Sequence, residues 1–353
     1  MGLEEEVKDI LLSYGKIIEA AISRIIPKQV DEQYLSEVLG EPLYSFEVVS
    51  VQRGVAEPFW ELLSRGGKRW RPVLSMLVYE ALGGDVEQFA EYAAIPEIIH
   101  NATLIVDDVE DGSVMRRGRP CIHRIYGEDI AINAGNTLYY LPLWPLYRLD
   151  DEKRREILEA YVKHMTALSI GQAMDIAWHR GLVEEVTEDQ YMQMCAYKTG
   201  SVARFAVEIA CILAGVSPGV RGKLARFGET IGVAFQIQDD ILNLVGDEKL
   251  YGKEIGGDIT EGKRTLMVVY ALRRLEPSKR ERLKEILNMH TQDPQLIKEA
   301  IGMIKETGAI EYAKKTASNI MQESWREADN VLNESESKRK LRLLAEYLIE
   351  RSR

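Results

Sequence analysis

Apolar residues return every three or four positions along almost the whole chain, and no other feature of the sequence limits its fold so tightly. Side chains at that spacing share one face of an α-helix, whose turn takes about 3.6 residues. The pattern predicts helices over 4–26, 30–39, 56–65, 69–82, 86–110, 127–148, 152–181, 187–214 (with Gly200 as a breaking point), 217–246, 262–275, 277–289, 294–305, 308–333 and 336–351. Pro58, Pro277 and Pro294 fall where first turns would be, the place a helix tolerates proline best. Phe46 to Val51 is the one stretch with strand character, and it reads better as an irregular connection. No linker rich in Ser, Gly or Pro divides the 353 residues, and no repeat of fixed period appears. The expectation is an all-α fold: one domain over 1–353, a large helical bundle with its site between facing helices.

Bulk properties remove several classes of function. A net charge of −11, without a Lys/Arg-rich patch, argues against nucleic acid as a partner. Cys121, Cys195 and Cys211 are too few and too scattered for a disulfide framework or a zinc site, and they read as reduced intracellular thiols. The acidic N-terminus lacks a signal-peptide pattern, and no apolar run reaches membrane-spanning length. A cytoplasmic protein without a transmembrane segment is expected.

Twice, a helix-periodic apolar run ends in acids. The first passes through Ile98, Ile99, Ala102, Leu104, Ile105 and Val106 into Asp107-Asp108-Val109-Glu110-Asp111, followed by Arg116-Arg117. Asp107 and Asp111 stack one turn apart and repel each other unless a cation lies between them. An oxygen-only ligand set of this kind suits Mg²⁺, which shares its shell with water and phosphate oxygens. The two arginines are forked donors matched to phosphate. Alone, such a cluster reads as a solvated face. The second run, Ile231 to Ile237, leads into Gln238-Asp239-Asp240-Ile241-Leu242-Asn243, with Asp239 and Asn243 again one turn apart. Two acidic helix ends facing each other across a cavity could hold several Mg²⁺ ions around one diphosphate.

With these motifs the chain resembles the trans-prenyl diphosphate synthases, which make linear isoprenoid diphosphates, and most of all those making geranylgeranyl and geranylfarnesyl diphosphate. The resemblance runs from about Trp60 to the C-terminus. It takes in Gly66-Gly67-Lys68-Arg69-Trp70-Arg71-Pro72, His100, the first acidic motif with Arg116-Arg117-Gly118, and Gly171-Gln172-Ala173-Met174-Asp175. It continues through Tyr197-Lys198-Thr199-Gly200, Phe235-Gln236 to Asn243, Gly252-Lys253, Gly257-Asp258 and Gly262-Lys263. Residues 1–55 match the family pattern least and form a less typical helical extension.

The resemblance implies a bundle around a deep central cavity, a homodimer, and head-to-tail condensation of isopentenyl diphosphate with an allylic diphosphate. It implies three Mg²⁺ ions, two on Asp107 and Asp111 and one on Asp239, with Asp108 and Asp240 in support. Arg116, Lys198 and Lys253 would face the allylic diphosphate, with Thr199 and Gln236 near the reacting carbons. Asp258 and Lys263 would close the site. Lys68, Arg71, His100 and Arg117 would hold isopentenyl diphosphate, which carries no metal in this family. Taken alone, Lys68-Arg69-Trp70-Arg71 reads as a basic helix start and His100 as a core histidine. The Gly66-Gly67 pair before the basic run, and the place of His100 two turns before Asp107, shift both readings towards a site.

Asn243 stands where the family usually has an acid, and Val106 where it often has histidine. Chain length should be set below Asp107. Farnesyl-length members place aromatic residues four or five positions upstream, where this chain has Thr103 and Ala102, with Ile99 one turn further down. A product of twenty or more carbons is expected, twenty to twenty-five being favoured. A class I terpene cyclase and a non-catalytic regulatory subunit are the alternatives. A cyclase would not need Lys68, Arg71 and Arg117, and regulatory subunits typically lose an acidic motif or the arginine pair.

Overall fold

The computed structural model describes residues 2–245 and 255–350. The chain divides into two compact units, one of residues 1–158 with 209–215 and the other of residues 159–208 with 216–353. Both are helical. Among the described residues the only strand pairing is a two-residue ladder, β1 (Met115–Arg116) antiparallel to β2 (Arg119–Pro120). No described helix is long and apolar enough to cross a membrane.

The first unit contains α1 (Leu3–Ile25), α2 (Glu32–Leu39), α3 (Val48–Val51), α4 (Glu57–Leu63), α5 (Trp70–Ala81), α6 (Val86–Glu110), α7 (Ile122–Tyr126) and α8 (Glu128–Tyr140). Helix α1 buries Val7, Ile10, Tyr14, Ile18 and Ile22 at three- and four-residue spacing, the signature of a one-sided helix. Helix α6 lies at the centre of this unit and packs on α1, α5 and α8. It opens on Asp85, whose side chain accepts the Glu87 amide, and runs unbroken through Pro96. An internal proline removes a helical hydrogen bond. Full burial of Ile95, Ile98 and Ile99 around it offsets that cost.

The second unit holds most of α9 (Asp151–His179), then α10 (Glu188–Cys195) and the first part of α11 (Ser201–Leu213). It continues with α12 (Pro218–Val245), α13 (Gly257–Thr260), α14 (Leu266–Arg274), α15 (Pro277–Asn288), α16 (Pro294–Glu306), α17 (Ala309–Asp329) and α18 (Glu336–Glu350). Helix α12 packs along α17 and against a π-helical turn at Ala196–Gly200. Thr187 and Gln190 form a reciprocal cap at the start of α10.

Three sequence expectations change. Phe46 to Val51 is neither strand nor irregular throughout: Glu47 accepts the Ser50 amide and starts α3, which continues through a π-helical turn at Gln52–Ala56 into α4. A local cap here outweighs the β-branched valines. The helix expected over 127–148 is α-helical only to Tyr140 and tightens to a 3₁₀ form at Leu141–Arg148, where Pro142 and Pro145 lack the amides an α-helix needs. The helix expected from 262 begins at Leu266, because Gly262 has φ of +71° and the Thr265 side chain supplies the cap.

Candidate functional site

At the last turn of α6 the two carboxylates expected to bind metal, Asp107 and Asp111, are both partly exposed, and Asp111 is the helix cap. Asp108 points the other way and is fully buried. Its Oδ1 accepts from Arg116 Nε at 2.8 Å and Nη2 at 2.5 Å, and the same Nη2 lies 3.5 Å from Asp107 Oδ2. Arg116 is therefore tied to the acid motif. Burial opposes its charge, but Asp108 and Asp107 together hold the guanidinium well above its ordinary range. The β1–β2 hairpin that carries it is clamped by Arg65, whose Nη1 donates to the carbonyls of Arg116 (3.1 Å) and Pro120 (2.9 Å). Nothing in the sequence links Arg65 to a hairpin 51 residues away. Burial and the Asp108 carboxylate push the Cys121 thiol up to about 12, so it stays protonated and is no nucleophile.

The four residues expected to hold isopentenyl diphosphate also belong to the first unit. Arg71 is buried and stacks over the Trp70 ring, 4.5 Å from guanidinium carbon to centroid. Burial draws it down to about 10 against the pull of Glu97, which still leaves it charged at neutral pH. His100 is held well below the ordinary imidazole range by burial and by Arg71, Arg117 and Arg116, with Asp107 opposing. It is a neutral hydrogen-bonding group. Lys68 is half-buried in the turn before α5. The Arg117 side chain donates to Leu62 O at 3.2 Å and Asn101 Oδ1 at 3.3 Å. Glu97 and Asn101 were missed in the sequence, because an acid and an amide in an apolar helix carry no signal until their partners are known.

Along α6, Ile99 and Ala102 are fully buried, while Thr103 is half-buried and donates to the His100 carbonyl at 2.7 Å. Val106 packs on α8 at Gly135, where an added Cβ would come within 2.4 Å of Val106 Cγ2. The residue standing in place of histidine is thus part of the α6–α8 contact.

The second acidic tip closes α12. Asp239 is half-buried and Asp240 fully turned inward. Asp240 receives Tyr191 OH at 2.6 Å and Gln236 Nε2 at 2.8 Å; the Gln236 carbonyl in turn accepts from Thr199 Oγ1 at 2.9 Å. Burial raises the Asp240 carboxyl to about 7; the two hydrogen bonds work against this, while neighbouring Asp239 adds to it. Lys198 sits on the π-helical turn and donates to buried Asp175 at 2.6 Å. Gly171 on α9 makes this possible, since a Cβ there would meet the Lys198 backbone nitrogen at 2.4 Å. Asn243 accepts the Asp258 amide at 3.0 Å, and its carbonyl accepts the Gly256 amide at 2.8 Å. Lys263 pairs with Glu261 at 2.5 Å. Lys253 lies outside the described residues. Tyr191, unassigned in the sequence, is the residue that anchors Asp240.

Among the described residues, no three of His, Cys, Asp and Glu converge to cage a metal by themselves. The outward carboxylates, Asp107 and Asp111 on the first tip and Asp239 on the second, instead suit a hard cation whose shell is completed by phosphate and water. The first set of residues lies in the first unit and the second set in the second.

A family model described as polyprenyl synthetase matches residues 52–304. The chain is 40% identical to a short chain isoprenyl diphosphate synthase of Methanothermobacter thermautotrophicus, over 82% of this chain and 88% of the relative. It is similar to the structure of a geranylgeranyl pyrophosphate synthetase from Pyrococcus horikoshii, at 30% identity and a TM-score of 0.85, covering 99% and 100% of the two chains. It is also similar to a geranylgeranyl pyrophosphate synthase from Corynebacterium glutamicum complexed with isoprenyl diphosphate and magnesium, at 25% identity, a TM-score of 0.79 and 99% coverage of both.

Proposed function

The chain belongs to the polyprenyl synthetase family, and from that membership we propose that it condenses isopentenyl diphosphate head-to-tail with an allylic diphosphate to give a linear all-trans product of twenty to twenty-five carbons. It is a transferase that moves prenyl groups. The observation that carries the substrate assignment is the gathering of Arg71, His100 and Arg117 beside, but distinct from, the Asp107–Asp111 tip. A terpene cyclase handles one diphosphate and would not need that second anion site.

In this reading Asp107 and Asp111 would hold two Mg²⁺ ions and Asp239 a third, and the chain works as one functional domain. Bound Mg²⁺ would neutralise the charge that grows on the departing diphosphate. The chain's own part is to add fixed positive charge through Arg116, Lys198, Lys253 and Lys263, a contribution worth about 10²–10³ in rate per preorganised donor. Thr199 and Gln236 support the substrate near its reacting carbons. Neutral His100 donates or accepts without adding charge, while Arg71, Arg117 and Lys68 orient the metal-free diphosphate. Among the described residues, the small side chains at Ala102 and Thr103 favour a longer product, with Ile99 as the next barrier.

We assign a cytoplasmic homodimer. Exposed Ile132 and Tyr140 on α8, and separately Val162 and Ile170 on α9, are surfaces that a second copy would cover.

The test is to incubate the purified protein with isopentenyl diphosphate, an allylic diphosphate and Mg²⁺, then to weigh the dephosphorylated products by mass spectrometry. Linear alcohols of twenty or twenty-five carbons are expected, together with full loss of turnover in excess chelator. Hydrocarbons would favour a cyclase, and absence of turnover a regulatory subunit. Ala102→Phe should shorten the product by at least one five-carbon unit; an unchanged product would remove Ala102 from the pocket.

A further inference from the structure

The first unit contains a buried acid that the reaction itself does not call for. Glu97 is 3% exposed on α6, one turn before His100 and Asn101. Burial pushes its carboxyl upward, and Arg69, Arg71 and Arg117 pull it back. A buried carboxylate persists only where cations or donors compensate for its lost hydration. Three guanidiniums around one acid leave an excess of positive charge, which suits an incoming dianion.

We propose that Glu97 and Asn101 are positioning residues for isopentenyl diphosphate, holding Arg117, Arg71 and Arg69 in one array around a shared buried carboxylate. The inference rests on the reading that Arg71 and Arg117 receive that diphosphate. Asn101, fully buried, is the adaptor. Its Nδ2 donates to Glu97 Oε1 at 3.0 Å and to the Glu97 carbonyl at 2.8 Å, while its Oδ1 accepts from Arg117 Nη1 at 3.3 Å. A side-chain amide can donate to a carboxylate on one side and accept from a guanidinium on the other, and neither aspartate nor leucine can.

Arg117 is held on every side that has been described. Besides Asn101 it donates to Leu62 O at 3.2 Å, and its guanidinium rests on Gly67, where an added Cβ would stand 3.0 Å from Nη2. Its backbone has φ of +52°, and that of Arg69, whose Nη1 lies 3.9 Å from Glu97 Oε1, has φ of +47°. Left-handed backbone is uncommon outside glycine and is held only where surroundings insist on it. Among the described non-glycine residues only His290 shares it, so two of the three such positions serve this one array. Without the carboxylate the guanidiniums repel one another, and their long side chains can swing apart.

The experiment measures steady-state kinetics with each substrate varied in turn for Glu97→Gln, Asn101→Ala, the near-isosteric Asn101→Asp and the double variant Glu97→Gln/Asn101→Ala. The expected result is a rise of about tenfold or more in KM for isopentenyl diphosphate, with KM for the allylic substrate held within about twofold. The double variant should be no worse than the more impaired single variant, because both act through one array. Thermal stabilisation by isopentenyl diphosphate alone should weaken in parallel, which checks that each variant folds and still binds. Arg117→Ala separates the two levels of the argument. If it leaves KM for isopentenyl diphosphate unchanged, the anion-site reading itself fails. If it raises that KM while the Glu97 and Asn101 variants do not, or while they raise both KM values equally, the positioning role is overturned.

Discussion

At the end of α6 the buried second aspartate, Asp108, meets a cation; at the end of α12 its counterpart, Asp240, meets a phenol and an amide. The two tips look alike in sequence, each with an outward aspartate followed by an inward one. Arg116 neutralises Asp108 by charge, through two bonds to a single oxygen. Tyr191 and Gln236 can only donate hydrogen bonds to Asp240, and these do not make up for burial, so its carboxyl rises to about 7. The comparison teaches that an Asp-Asp pair specifies a direction for each carboxylate but not its protonation. The neighbours settle that. The α6 tip holds its inward acid in an ion pair with Arg116, while the inward acid of the α12 tip titrates near 7.

The contrast is most easily broken by removing the inward acids. Asp108→Ala leaves Arg116, which is 16% exposed, with only the longer 3.5 Å contact to Asp107, and should cost about 3 kcal/mol in chemical denaturation. Asp240→Asn should instead raise the stability of the metal-free protein at pH 8. Equal losses in both variants would mean that the tips are not differently neutralised.

The pH dependence sharpens the same point. An unfolded aspartate loses its proton near the ordinary value of 3.8, whereas folded Asp240 keeps it to about 7. Between those values the folded state binds the extra proton, so this group's stabilising contribution falls as pH rises and is gone above about 7. Asparagine does not titrate. The stability gap in favour of Asp240→Asn should therefore widen by about 1.4 kcal/mol per pH unit between pH 5 and 7 and then level off, as followed by denaturant midpoints. A gap that stays constant over this range would put the Asp240 carboxyl at an ordinary value.

Smaller effects follow from the neutral donors. Tyr191→Phe removes one buried hydrogen bond and should cost about 1–2 kcal/mol below pH 6, where Asp240 is protonated, measured by thermal unfolding. Asn243→Ser keeps a short acceptor within reach of the Asp258 amide and should change stability by less than about 0.5 kcal/mol, while Asn243→Ala should cost about 1 kcal/mol. If the two Asn243 variants behave alike, that side chain is not what holds the Gly256–Asp258 turn.

Much of this was legible beforehand where the physics is local. The period of α1, α6, α12 and α17 follows from which side chains must avoid water, and the acids at the ends of α6 and α12 stand out because apolar runs lead into them. The motif order carried the family. Less visible were local contests between signals: the Glu47 cap over a valine-rich stretch, or Pro142 and Pro145 tightening a helix whose apolar period continues.

By itself, then, the sequence determined that the chain is helical, that two helices end in acids, and that arginines and lysines accompany them, since each follows from spacing within a few turns. Tertiary structure alone decided what each buried group touches. Tyr191 reaches Asp240 across 49 residues, Lys198 reaches Asp175 across 23, and Arg65 braces Arg116 across 51. The reason is physical: helical period says which face turns inward, but the charge on a buried carboxylate depends on the one or two atoms packed against it, and those arrive from distant parts of the chain.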